Sequence, residues 1–263
     1  MTVAQYIKQL LSYEEYSFSW DELRIKSNKT NIALKRELSR LGEKKEIVNL
    51  RKGFYLIIPP KYSKQAYLPV ELYVDKLFKT LKKDYYLAFF TAAKFHGASH
   101  QQIHKEYIMT SIPPLSNIKK KNINIHFLST SKWPKKNILT KKSDAGYFNL
   151  SSPALTMVDL IHYQTKLGGL NRILPVLDEL IDELNEKDLS DLLSWYPYTG
   201  TLQRLGYLME TLKADKALYQ IILNHLKKSN LYPVLLAPKN RTKNRTSNNK
   251  WKVTINIKLE NDL

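Results

Sequence analysis

His96, His100 and His104 recur every fourth residue, a spacing that on one unbroken helix would stack three imidazoles for a transition metal. Gly97 interrupts such a helix, and no carboxylate follows at a ligand-like interval. Gln101-Gln102 reads as loop, so the three histidines are expected in core and loop positions, hydrogen-bonded to neighbours and holding no metal. Metal-dependent cleavage of a phosphodiester would need clustered carboxylates. The acids gather instead at Asp178, Glu179, Asp182 and Glu183, where i, i+4 spacing fits a solvated face or a dock for a basic partner. After Gly97-Ala98-Ser99 come histidine and glutamine, not the paired aspartates of a nucleotidyltransferase. Phosphate-cradling glycine loops and a Gly-x-Ser-x-Gly elbow are absent from the sequence. No catalytic residue, metal or cofactor is expected, and the chain is not expected to be an enzyme.

The cations are placed with more order. Between Thr30 and Leu41 the spacing predicts a helix: Leu34, Leu38 and Leu41 fall at i, i+4, i+7 and face inward. Its other side carries Lys29, Arg36, Ser39 and Arg40, with Lys35 on the flank and Asn31 at the start. Such a face suits a polyanion. Lys29, Asn31, Arg36, Ser39 and Arg40 are expected to meet the major groove of duplex DNA, with Arg36 the base reader by side-chain type. Downstream, Arg51 and Lys52 sit at a turn closed by Gly53, where they would grip phosphate. A basic helix face can also be merely solvated, or serve a protein partner. The flanking elements favour DNA.

Ser19-Trp20-Asp21-Glu22 fits a capping box, which starts a short helix through about Lys26 with Leu23 and Ile25 as its apolar contacts. Ser27-Asn28-Lys29 then supplies the turn and the cap of the next helix. Ile47–Leu50 and Phe54–Ile58 read as two strands of a hairpin around Arg51-Lys52-Gly53. With a first helix from Thr2 to about Tyr13, the order is helix, helix, helix, hairpin. That is the order of a winged helix-turn-helix.

The fold class expected is therefore α+β: a winged helix-turn-helix over residues 1–60, a linker over 61–67 opened by Pro59-Pro60, and a larger, helix-rich mixed domain over 68–263. In the second part, Pro69 suits the first position of a helix carrying Leu72, Val74, Leu77, Phe78 and Leu81. A buried helix is expected over Tyr86–His96, stopped by Gly97. Strands are expected at Tyr107–Ser111, Ile123–Ser129 and Tyr147–Leu150, the middle one with a half-buried alternation. From Ser152-Pro153 onward the pattern is helical, breaking at Gly168-Gly169, and it returns to strand at Val234–Leu236 and Trp251–Ile257.

The 263 residues carry 42 basic and 24 acidic side chains, a formal net charge of +18. That excess favours polyanionic partners and salt-sensitive binding. Lysine far outnumbers arginine, so part of the charge is compositional background and its placement matters more than its sum. Cysteine is absent, which excludes disulfides and thiolate metal sites. The longest apolar run, Tyr85–Ala93, is far short of the ~20 residues a membrane span needs. A cytoplasmic protein without membrane contact is expected. Two lysine-rich stretches, Lys119–Lys142 and Lys239–Lys252, form a second candidate patch: Lys119, Lys120, Lys121, Lys135, Lys136, Lys141, Lys142, Arg241, Lys243 and Arg245. Trp133 and Trp251 lie within them. Such loops are often only solvated; here they could add phosphate contacts or cooperative contacts to a neighbouring copy.

Several segments in order resemble the AbiEi family of antitoxins: Arg51–Tyr55 leading into Pro60-Lys61-Tyr62, Leu68–Tyr73, Tyr85–Ala93, Phe95–Ala98, His100-Gln101-Gln102, Ser151–Thr156, Gly168–Asn171, Gln203–Tyr207 and the Trp251–Asp262 ending. The resemblance implies a type IV toxin–antitoxin operon of the abortive-infection, phage-defence kind. It implies an N-terminal winged helix that represses its own promoter at inverted repeats. It also implies a C-terminal domain needed for antitoxicity and for cooperative binding, by self-association on DNA, and a nucleotidyltransferase-like toxin whose neutralisation need not involve a tight complex. Two other expectations stay open at this point: a DNA-targeted defence enzyme, and a protein-binding winged-helix adaptor.

Overall fold

The structure is a computed structural model that describes residues 1–64, 67–98, 105–120, 122–240 and 247–260. It begins with α1 (Val3–Ser12), β1 (Ser17–Ser19), α2 (Trp20–Lys26), α3 (Asn31–Glu43), β2 (Ile47–Arg51) and β3 (Phe54–Ile57). Thr2 caps α1 in a capping box with Gln5. Ser19 caps α2 as expected: its hydroxyl accepts from the Glu22 N–H at 3.1 Å and its own N–H donates to the Glu22 carboxylate at 2.7 Å. The cap of α3 is Thr30, not the Ser27–Lys29 stretch, because the Thr30 hydroxyl is the one that reaches the Ala33 N–H. Val3, Tyr6, Ile7, Leu10, Phe18, Leu23, Leu34, Leu38, Ile47 and Ile57 form one buried cluster. At ~1.5–3 kcal/mol for each large apolar side chain removed from water, that cluster holds all six elements together.

Two expectations change here. β1 is a third strand, pairing antiparallel with β3 so that the sheet order is β1-β3-β2. Three residues, Ser-Phe-Ser, carry too short a pattern to announce a strand. Ile25, expected to pack, is 81% exposed, whereas Leu23 is fully buried.

Next come α4 (Pro60–Ser63), a 3-10 turn at Val70–Leu72, and α5 (Val74–Leu81). The single helix expected from Pro69 is thus two pieces, split at Tyr73, whose φ of −141° is not helical. Tyr85–Leu87 is strand β4, and only Phe89–Phe95 is helix, α6. A short, wholly buried apolar run does not distinguish strand from helix, and here both occur within it. Gly97 ends α6 with a left-handed φ of +79°, as expected.

β5 (Glu106–Ser111), β6 (Ile118–Lys120), β7 (Ile123–Thr130), β8 (Ile138–Ser143) and β9 (Gly146–Ser151) complete a sheet in the order β6-β7-β5-β4-β9-β8. β5 and β7 run parallel from Glu106↔Ile125 to Ser111↔Thr130. β6 and β8 were not anticipated; both bear lysines and both lie at the edges of the sheet.

The helical part comprises α7 (Pro153–His162), α8 (Leu170–Asp182), α9 (Glu186–Leu193), α10 (Thr199–Thr211) and α11 (Lys216–Leu226). Ser152 caps α7 and Pro153 takes its first position, as the sequence predicts. The return to strand is limited to β10 (Val234–Leu235), parallel to β11 (Val253–Thr254). The chain is mixed α+β and divides into two compact units. One comprises Met1–Tyr86, His104–Ser131 and Thr140–Asn149; the other comprises Leu87–Ile103, Lys132–Leu139 and Leu150–Leu263.

Candidate nucleic-acid interface

α3 stands on Leu34 and Leu38, which are 1% and 5% exposed. That anchoring leaves Asn31, Lys35, Arg36, Ser39 and Arg40 exposed on the opposite side. Arg36 makes no hydrogen bond or ion pair among the described residues, so its guanidinium fork is available to a ligand. Lys35 lies over the Trp20 ring, 6.0 Å from its centroid, and the Ser39 hydroxyl donates to Glu43 at 3.3 Å. Lys29 is used differently: its ammonium is engaged by Glu37, whose carboxylate also accepts the Val3 N–H at 2.9 Å. Those two donors, Lys29 first, hold the Glu37 carboxyl below the usual carboxylate range. Lys29 therefore pairs with α3 from the turn before it, and Glu37 ties α3 to α1 through the Val3 N–H, a set of partners that sequence spacing does not reveal. The same face carries Ile32, 66% exposed, an apolar side chain that no charge or hydroxyl pattern singles out in the sequence.

The hairpin turn is held against α2. Gly53 has a φ of +77°, where a side chain is strained, and its carbonyl accepts the Trp20 N–H at 2.8 Å. Lys52 is exposed at the tip. Arg51 is half-buried opposite Phe54, with a register shift between Asn49 and Arg51. Its Nη1 is buried without a hydrogen-bond partner among the described residues. Of the two cations at the turn, Lys52 is the one presented freely to solvent. Beside the hairpin, Lys120 on β6 donates to the Asn49 carbonyl at 2.7 Å, which sets Lys119 and Lys120 next to β2.

The second basic patch separates into pieces. Lys119 and Lys120 on β6, and Lys141 and Lys142 on β8, are exposed on edge strands. Cations there oppose pairing with a strand of another chain. Lys135 is exposed, whereas Lys136 pairs with Asp191 at 2.6 Å. Between them and α9, Asn137 donates to the carbonyl and carboxylate of Asp188 and accepts the Trp195 indole N–H at 2.8 Å. Trp133 is half-buried. Trp251 is fully buried, with its ring against Gly206, where a methyl group would overlap it, and its indole N–H donating to Glu210 at 2.7 Å. It is a core residue, not a stacking platform for bases. Lys121, Arg241, Lys243 and Arg245 lie outside the described residues, as do His100 and His104. His96 is bonded through Nε2 to the Ser151 carbonyl at 2.8 Å. In the acidic cluster, Asp182 and Glu183 are exposed while Asp178 and Glu179 are half-buried. Burial, and then Asp182, push the Asp178 carboxyl up. Among the described residues no group of three histidine or acidic side chains is arranged to hold a metal, and no helix is long and apolar enough to cross a membrane.

Residues 86–211 match the family model of the AbiEi antitoxin C-terminal domain. The AbiEi resemblance is thereby met over those residues, and the matched domain supports an antitoxin role. The RV2827C protein from Mycobacterium tuberculosis is a structural neighbour with a TM-score of 0.64 at 16% identity, covering 95% of this chain and 89% of that one. At that identity the likeness is one of fold. An antigenic nucleotidyltransferase-like protein from Paracoccidioides brasiliensis aligns with 11% identity over 56% of this chain and 93% of its own, with a TM-score of 0.34. No curated protein matches the sequence.

Proposed function

We propose that the protein is a type IV antitoxin and transcriptional autorepressor. Residues 1–60 act as a winged helix-turn-helix on inverted repeats in the operon's own promoter, residues 61–67 link, and residues 68–263 counteract a nucleotidyltransferase-like toxin in the cytoplasm. One observation carries the DNA half: an exposed cationic face on α3, with Arg36 unengaged, beside a turn that the Trp20–Gly53 hydrogen bond fixes in place. Arg36, Lys35, Ser39, Arg40 and Asn31 enter the major groove; Lys52, with Arg51 behind it, meets the phosphate backbone. Lys120, braced on Asn49, sets Lys119 beside β2, where it continues the cationic surface past the hairpin. The family match supports the antitoxin half.

The test is a mobility-shift titration of the full-length protein against the DNA upstream of its own gene and against random duplex, repeated across salt concentrations. Preferential binding to the upstream DNA, with an affinity that falls steeply with salt, is expected. Equal affinity for both duplexes would refute the autorepressor; no shift even at low salt would refute DNA binding altogether. Co-expression with the product of the adjacent reading frame tests the other half: growth arrest by that product should be relieved by this chain.

A further inference from the structure

α3 presents one large apolar side chain among its cations. Ile32 is the second residue of the helix and 66% exposed, while Leu34 and Leu38 anchor the opposite side. Counting along the helix, Ile32, Lys35, Arg36 and Ser39 stand at i, i+3, i+4 and i+7, which places them in one row on the solvent side. An isolated exposed isoleucine is ordinary on a protein surface. One at the head of a row that carries Lys35 and Arg36, on the N-terminal turn that helix-turn-helix proteins press against base edges, has a specific chemistry available to it. In the major groove the one apolar group on a base edge is the thymine 5-methyl.

We infer that Ile32 is a specificity residue whose branched side chain packs on a thymine methyl adjacent to the base pair read by Arg36. The inference rests on the DNA-binding reading proposed above. The occupant follows from charge: Lys35, Arg36 and Arg40 around Ile32 select a polyanion, and the groove of duplex DNA offers both phosphates and methyl groups. Ile32 contributes sequence preference rather than general affinity, because random DNA presents a methyl at that register only part of the time.

Replacing single thymines of the upstream duplex by uracil removes the 5-methyl and nothing else. Wild-type protein should weaken about fourfold at one position per half-site, the equivalent of one unburied methyl group (~0.8 kcal/mol). Ile32→Ala should bind the unmodified duplex correspondingly less well and show no response to uracil at that position, while its affinity for random duplex stays unchanged. Ile25→Ala, which alters a comparably exposed isoleucine on α2, should keep the full uracil response. Ile32→Ala responding to uracil as the wild type does at every position would overturn the inference, as would a wild type indifferent to every substitution. Those failures leave a protein that still prefers its upstream DNA. Loss of that preference in the wild type would instead bring down the DNA-binding reading itself, and the inference with it.

Discussion

The outward face of α3 and the lysine-rich segment 132–142 carry similar charge and make different use of it. On α3, Arg36 is unengaged, Arg40 and Lys35 are exposed, and all three stand on a helix clamped by Leu34 and Leu38. In 132–142, Lys136 is paired with Asp191, Asn137 is bonded to Asp188 and Trp195, and Lys141 and Lys142 lie on an edge strand. Cations that are rigidly mounted and free can recognise a ligand. Cations that satisfy a neighbour or guard a strand edge are already employed. Density of charge in the sequence does not separate these cases; the partner of each side chain does.

That contrast can be broken at its strongest point by Trp251, which sits within the second lysine-rich stretch. Trp251→Ala should cost ~3–5 kcal/mol in denaturant unfolding, as for other buried tryptophans, with no selective loss of DNA affinity in the fraction that remains folded. A stable variant that had lost DNA binding would reverse the assignment. The next largest effect belongs to Arg36→Ala. It should remove ~1–3 kcal/mol of discrimination between upstream and random duplex while leaving unfolding unchanged, read from paired titrations. Lys52→Ala should weaken all sequences alike and reduce the salt slope by about one. Lys136→Ala, whose charge Asp191 already satisfies, should leave that slope where it was, and an equal drop for the two would erase the distinction.

The smallest effect is in pH. The folded-state carboxyl of Glu37 is depressed by Lys29 and the Val3 N–H. Its contribution is therefore present above the carboxylate range of the unfolded chain and lost as pH falls through the folded value. Glu37→Gln should flatten the acid side of a stability-versus-pH curve by under ~1 kcal/mol, the range of a partly exposed pair. An unchanged acid limb would mean that the bridge from α3 to α1 contributes nothing.

Where local rules sufficed, the sequence was legible. The capping boxes at Ser19/Glu22 and the Ser152-Pro153 start each act within one turn, so pattern and structure agree. The leucine spine of α3 buries Leu34 and Leu38 as expected, and β7 alternates as far as Ile125, with Phe127 only half-buried. What failed depended on neighbours distant in the chain. β1 exists because β3 offers it an edge, and β4 because β5 and β9 flank it. β6 and β8 read as charged loops, since lysine on an outermost strand hides the strand pattern. On the candidate interface, the exposed side of α3 was readable from helical period alone, but the Lys29–Glu37 pair, the half-burial of Arg51 and the burial of Trp251 were not. Each is set by a partner on another element.

The hydrogen bond from Trp20 to Gly53 has a consequence for how quickly and how faithfully a duplex could be engaged. Because the hairpin tip is fastened to the start of α2 before any ligand arrives, little further ordering is needed on contact, and association is governed by orientation and charge. On the proposed DNA-binding reading, the same fastening to α2 limits how far the tip that carries Lys52 can shift. A molecule seated one base pair out of step on a duplex could not move that tip to compensate, so it would dissociate rather than linger.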